Sequence, residues 1–167
     1  MAEKPRELSH EEVMILFEAA DPSIKAIISL VMNGLSLAEI LSLTSECLNI
    51  ELLMIFIPGQ RNLLMTAAVA TSFRDLQIFD HWPNEDTIKT FLCCAAIDGG
   101  LSEPEQITVE ALRFTYILFL IRQGIKLVDL TKIIGSLPPS KLIELGKFSP
   151  AGSGVNLEQI VLDYFPR

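Results

Sequence analysis

The sequence predicts a mainly α-helical fold with one small antiparallel β-sheet. Three observations lead there. Capping patterns followed by apolar residues at helical spacing recur along the chain, a single β-prone run from Leu52 to Ile57 is followed by a Pro-Gly turn, and glycine or proline punctuates the helical segments. With 167 residues, half of them apolar and one fifth charged, the chain reads as one globular domain.

Ser9 with Glu12 forms a capping box, and Val13, Leu16, Phe17 and Ala20 follow at helical spacing, which predicts a helix over 9–20. Asp21-Pro22 caps a second, nearly all-apolar helix with the stripe Ile24, Ile27, Ile28 and Val31, ended by Asn33-Gly34. Ser36 with Glu39 opens a third through Leu43. The run Leu52 to Ile57 reads as a strand, Pro58 to Asn62 as a turn, and Leu63 to Ala70 as a strand pairing back. The stretch Phe73 to Pro83, with His81 and Trp82, reads as irregular, and Trp82 beside proline as a core plug. Asn84 or Asp86 caps a helix through Ile97, stopped by Gly99-Gly100. Thr108 caps the longest helix, which ends at Gln123-Gly124, and another follows over 126–134. Ser140 is expected to cap a short helix to Leu145. Ser149 to Val155 reads as a hinge, and Asn156 to Phe165 as a last amphipathic helix, dividing the chain into a core of 1–148 and a hinge and tail of 149–167.

Charge and composition narrow the function. No apolar run reaches the length of a membrane span, because Asn33, Glu39 and Glu46 interrupt the most hydrophobic stretch, and residues 1–6 lack the apolar core of a signal peptide. The expectation is a cytoplasmic protein without membrane contact. Three cysteines and two histidines, His10 and His81, show no ligand spacing, so no metal and no cofactor are expected. A net charge of −8 argues against a protein that coats nucleic acid generally, yet residues 113–147 hold six basic and two acidic side chains, leaving a basic segment in an acidic chain. That asymmetry marks either an anionic partner or compensation of helix dipoles.

One near-repeat stands out: Asn33-Gly-Leu-Ser-Leu-Ala-Glu-Ile against Gln123-Gly-Ile-Lys-Leu-Val-Asp-Leu, each a helix end, a glycine and a new helix. Such a corner is compatible with a helix-turn-helix, or with any two helices packed at an angle. In this order and spacing, the two corners resemble those of the tyrosine recombinase catalytic domain, the phage-integrase and Xer class. Leu8-Ser-His-Glu-Glu-Val is similar to that family's opening helix, and Gly34-Leu-Ser-Leu-Ala-Glu-Ile-Leu-Ser-Leu to its G-L-R-x-x-E-L-x-x-L block. Pro58-Gly59-Gln60 resembles its hairpin turn. Ile107-Thr-Val-Glu-Ala-Leu-Arg-Phe-Thr-Tyr resembles I-T-P-H-x-L-R-H-T-F, and the run Leu120 to Gly135 resembles L-x-x-x-G-x-x-L-x-x-I-x-x-x-L-G.

The resemblance implies a recombinase-like fold and DNA strand exchange through two phosphate-gripping arginines, a hairpin lysine, two His-type positions and a tyrosine nucleophile. Laid on this chain, those positions fall on Ser36, Gln60, Glu110, Arg113, Ser136 and Leu145, and only Arg113 matches. A carboxylate at Glu110 would repel a phosphate, and loss of the first arginine and the lysine removes the charge compensation of the transition state. The resemblance therefore implies a pseudoenzyme. In the family fold, Ser36, Glu110 and Arg113 are expected to line one concave surface.

Arg113 reads either as a phosphate contact or as a relic paired with Glu110 or Glu39. Arg61 and Lys89 read as solvated charges, or Arg61 joins Arg113, Lys126 and Lys132 as DNA-binding candidates. Tyr116 reads as core. Two functions follow: a catalytically inactive, DNA-binding relative of a mobile-element integrase, tied to DNA recombination or integration, and a protein-interaction module. The second uses the tail stripe Leu157, Ile160, Val161 and Tyr164 to bind a partner recombinase or a second copy.

Overall fold

The computed structural model describes residues 4–74, 82–150 and 154–165. Its elements are α1 (His10–Ala19), α2 (Pro22–Val31), α3 (Leu37–Leu41), β1 (Leu48–Asn49), β2 (Met54–Ile57), β3 (Arg61–Leu64), α4 (Ala67–Arg74), α5 (Glu85–Asp98), α6 (Val109–Arg122), α7 (Leu127–Ile134) and α8 (Pro139–Gly146). The three strands form one antiparallel sheet in the order β1-β2-β3, with Ile55 opposite both Leu48 and Leu63. The fold is thus mainly α with a small antiparallel sheet.

Helix α2 lies at the centre. Ile24, Ala26, Ile27, Ile28 and Leu30 have no exposed surface, because α1, α3, α4, α5 and α6 all pack around it. Each fully buried isoleucine or leucine of this kind contributes about 1.5–3 kcal/mol relative to an exposed one. Helix α6 is the second core element, buried from Leu112 through Ile121 except at Arg113 and Phe119, and it carries α7 and α8.

The helix starts follow local chemistry. Ser9 Oγ accepts from Glu12 N at 3.1 Å while Ser9 N donates to Glu12 Oε1 at 3.0 Å. Asp21 caps α2, Asn84 caps α5 and Thr108 caps α6, each by accepting the backbone N–H three residues on.

Several expectations need correction. The run Leu63 to Ala70 is not one strand: β3 stops at Leu64, and α4 begins at Ala67. The Asn33 amide takes the next two main-chain groups, donating to Leu64 O at 3.0 Å and accepting from Thr66 N at 2.8 Å, and the alanines that follow favour a helix. Strand β1 has no strong signal of its own and forms because β2 offers it an edge. Helix α8 starts from Pro138 rather than Ser140, since Pro139 at the first helical position already has the required φ.

The largest correction is the tail. Asn156 to Phe165 is not an amphipathic helix: only Leu157–Gln159 makes a 3-10 turn, and the rest has no regular secondary structure. Main-chain bonds to α6 and the corner after it outcompete helix formation. Gly154 N and Val155 N both donate to Gly124 O, Ile125 pairs in parallel with Val155, and Gln123 holds Val161 through two hydrogen bonds.

In the stretch expected to be irregular, Phe73 and Arg74 belong to α4, while His81 lies outside the described residues. Part of the expected hinge, residues 151–153, also lies outside them. Trp82 is half-buried edge-on to Phe73, with ring centroids 6.2 Å apart. Among the described residues, no helix is long and apolar enough to cross a membrane.

Candidate functional site

The two glycine corners organise the surface where the matched positions fall. Gly34 has φ of 104°, a region L side chains rarely adopt, and a Cβ there would stand 2.8 Å from Ile133 O. Glycine therefore lets the α2–α3 corner press against the end of α7.

Two guanidinium groups fasten that contact. Arg61, from β3, donates Nε to Ile133 O at 2.9 Å and Nη2 to Gly34 O at 3.0 Å. Its two terminal nitrogens also grip Glu39 as a fork, Nη1 to Oε2 at 2.5 Å and Nη2 to Oε1 at 3.1 Å. Arg113, from α6, donates Nη1 to Gly34 O at 2.9 Å and Nη2 to Ile134 O at 2.6 Å. Arg61 and Glu39 keep only 9% and 10% of their side-chain surface exposed.

The electrostatics follow from this crowding. Burial alone would raise the Glu39 carboxyl, but hydrogen bonds from Arg61 and from the Ser36 backbone outweigh it and hold the group below its ordinary value. Burial lowers Arg113, with Glu39 partly offsetting the shift and Arg61 adding to it. Two cations around one carboxylate leave a positive charge under the surface.

Beside this junction lies an open groove of about 820 Å³ between the hairpin turn and the end of α7, lined by Gln60, Arg61, Asn62, Thr131, Lys132 and Ser136 with Gly59 and Gly135. No carboxylate appears in this lining among the described residues. Lys132 is 64% exposed and reaches Asp129 on its own helix at 3.0 Å. Lys126, at the N-cap of α7, is exposed.

Of the six matched positions, Gln60 and Ser136 face this groove, and Arg113 meets the corner that Ser36 extends. Ser36 itself is spent on capping α3, its Oγ accepting from Glu39 N at 3.3 Å. Glu110 is exposed and lines a separate cavity of about 170 Å³ with Leu37, Lys89 and Thr108, whereas the Arg113 guanidinium turns toward carbonyl oxygens. Leu145 is 2% exposed in α8 and offers no nucleophile.

Several expected roles change. Arg61 is not a solvated charge; it takes the Glu39 pairing considered for Arg113, which instead holds two backbone carbonyls. Tyr116 is core, its hydroxyl donating to Leu162 O at 2.8 Å, and burial raises its pKa. Tyr164 is 8% exposed against the rings of His10 and Phe119, and burial, with the Glu7 charge, pushes its hydroxyl up to about 12. The tail stripe splits: Ile160 and Tyr164 are buried in this chain's own core, Leu157 is half-buried, and Val161 remains 58% exposed.

The sequence reading missed that both corners use one device. In each, the amide before the glycine clamps a distant segment, Asn33 on Leu64 and Thr66, Gln123 on Val161. In each, the glycine carbonyl accepts twice, Gly34 from Arg61 and Arg113, Gly124 from Gly154 N and Val155 N. The near-repeat carried the signal in its paired Asn-Gly and Gln-Gly.

No family model matches the chain, and no curated protein sequence matches it. Among solved structures, the chain is similar to the crystal structure of XerA recombinase, with a TM-score of 0.72 and 18% sequence identity over 87% of this chain. The match covers 60% of that recombinase, so the chain spans about three fifths of its length. The likeness assigns a recombinase-like fold.

Proposed function

We propose that this recombinase-like scaffold engages duplex DNA without cutting it, as a catalytically silent protein of a recombination or integration system. One observation carries the reading: the two arginines at the junction hold Gly34, Ile133, Ile134 and Glu39, so both guanidinium groups are committed to fastening the fold rather than presented as a fork to a reacting phosphate. Phosphoryl transfer needs such donors on the transition state together with a nucleophile. Leu145 is buried apolar surface, and Tyr116 and Tyr164 are held in packed positions.

Contact with a resting phosphate backbone asks for less. The groove offers amide, hydroxyl and ammonium donors from Gln60, Asn62, Ser136 and Lys132, with no carboxylate among its described lining residues, in a chain whose net charge is −8. The test is a salt titration of binding to a random-sequence duplex, run beside an assay for covalent protein–DNA adducts. The expected result is binding that weakens with salt, a slope reduced by roughly one to two in Lys126→Ala/Lys132→Ala, and no adduct. Absence of binding at low salt would refute the DNA contact, and an adduct would refute catalytic silence.

A further inference from the structure

A second recess opens where the start of α1, the start of α4 and the tail meet. It holds about 670 Å³ and shares no described lining residue with the groove beside the arginine junction. Four rings line it: His10, Phe119, Tyr164 and Phe165. Tyr164 is their hub, with its ring centroid 5.0 Å from that of His10, 5.0 Å from that of Phe119 and 5.8 Å from that of Phe165. Met65, Ile160 and Leu162 add aliphatic surface, while Leu64 and Val161 of the same lining stay 63% and 58% exposed.

Carboxylate charge enters this lining at one place. Among the described residues, Asp163 is its one carboxylate, and it contains neither lysine nor arginine. Asp163 Oδ1 accepts from Phe165 N at 3.1 Å, and no ion pair among the described residues includes Asp163. Charges close by are engaged elsewhere. Glu7 and Arg122 line an adjoining recess that shares His10, Phe119 and Tyr164, and they pair with each other. Lys25 lies 5.7 Å from the centroid of the Phe17 ring, which is outside this lining but 4.7 Å from Phe165. One of the chain's own cations thus already uses a ring at the edge of the same aromatic cluster.

We propose that this recess binds a small organic cation, an ammonium or guanidinium on an apolar body, with the charge at Asp163 and the body against the rings. Its size and its lining, mostly apolar with a few polar groups to fix orientation, are those of a ligand site. A carboxylate among aromatic rings favours a positive group in two ways, by direct attraction in a poorly solvated setting and through the rings' quadrupoles. The same arrangement discriminates. A neutral molecule of equal shape keeps only the apolar contact, and an anion meets Asp163 with like charge.

The experiment is equilibrium dialysis of the full chain against three probes of similar shape, phenethylammonium, phenethyl alcohol and phenylacetate, with methyl NMR spectra to locate the contact. The expected result is millimolar binding of phenethylammonium, roughly tenfold tighter than the alcohol, with phenylacetate weakest. Methyl shifts should fall on Met65, Ile160, Val161 and Leu162. Asp163→Asn keeps an acceptor for Phe165 N and removes the charge, so it should bring the cation down to the affinity of the alcohol and leave the alcohol unchanged. Val161→Lys, at an exposed position, sets a cation in the lining without touching the core and should weaken phenethylammonium more than the alcohol. Equal binding of cation and alcohol by the wild type overturns the proposal, as do shifts confined to other methyl groups. Undiminished cation binding by a folded Asp163→Asn would also overturn it. No duplex is present, so a failure of DNA contact leaves these readouts unaffected.

Discussion

Arg61 and Arg113 both donate to the Gly34 carbonyl oxygen, at 3.0 and 2.9 Å, and so tie the β-hairpin and α6 to one peptide group. Two guanidinium groups brought this close repel each other. Glu39, gripped by both terminal nitrogens of Arg61, is what makes the arrangement tolerable.

Removing Arg113 is therefore expected to act on stability before it acts on binding. Arg113→Ala leaves Ile134 O without its donor and Gly34 O with one donor fewer, at a cost of about 2–4 kcal/mol in urea denaturation. Arg113→Lys recovers only part of this, because one ammonium does not span two carbonyls. A variant as stable as wild type would show that the bonds are dispensable.

Glu39→Gln keeps the shape and removes the charge, leaving Arg61 and Arg113 facing each other. The expected loss is about 3 kcal/mol. The wild-type contribution has a definite pH window. Because the folded-state pKa is lowered, the stabilisation is complete above the unfolded value, near 4.5, and is lost as pH falls through the folded value. Stability of Glu39→Gln measured from pH 7 down to 3 should therefore fall less steeply than that of wild type, and parallel curves would refute the assignment.

Gly34→Ala and Gly59→Ala separate backbone strain from close approach. Both positions have positive φ, but a Cβ at Gly59 meets nothing within 4 Å, while one at Gly34 stands 2.8 Å from Ile133 O. Strain alone costs about 1 kcal/mol. Thermal unfolding should show Gly34→Ala losing at least twice as much as Gly59→Ala, with equal losses arguing that α7 can withdraw.

Gln123→Ala should loosen residues 160–164 with little effect on the core. The amide donates to Val161 O at 2.9 Å and accepts from Val161 N at 2.8 Å, so its loss frees both groups. Hydrogen exchange at Val161 is expected to speed by roughly tenfold, corresponding to about 1.4 kcal/mol, while amides of α2 keep their protection. Unchanged exchange would mean that Ile160 and Tyr164 hold the segment by burial alone.

The helices were legible wherever their start was written locally, in Ser9 with Glu12, in Asp21-Pro22, in Ser36 with Glu39 and in Thr108. The end of β3 and the conformation of the tail were not, because both depend on an amide arriving from far along the chain. Periodicity at 157, 160, 161 and 164 described an apolar stripe correctly in composition and wrongly in geometry, since burial of Ile160 and Tyr164 is achieved by an irregular segment. At the junction, the motif located Arg113 and the corner, but which arginine would pair with Glu39 depended on the reach of Arg61 across the hairpin.

The Asn33 amide also governs how this sheet treats its surroundings. Even-numbered residues of β3 point their main-chain groups away from β2, and a sheet that ends in such a row invites another strand to add to it. Asn33 occupies Leu64 O and Thr66 N at the end of that row, and Arg61 ties the strand to α7 beside it. Two side chains, Asn33 and Arg61, thus guard an edge that would otherwise invite aggregation, in a sheet with no fourth strand among the described residues.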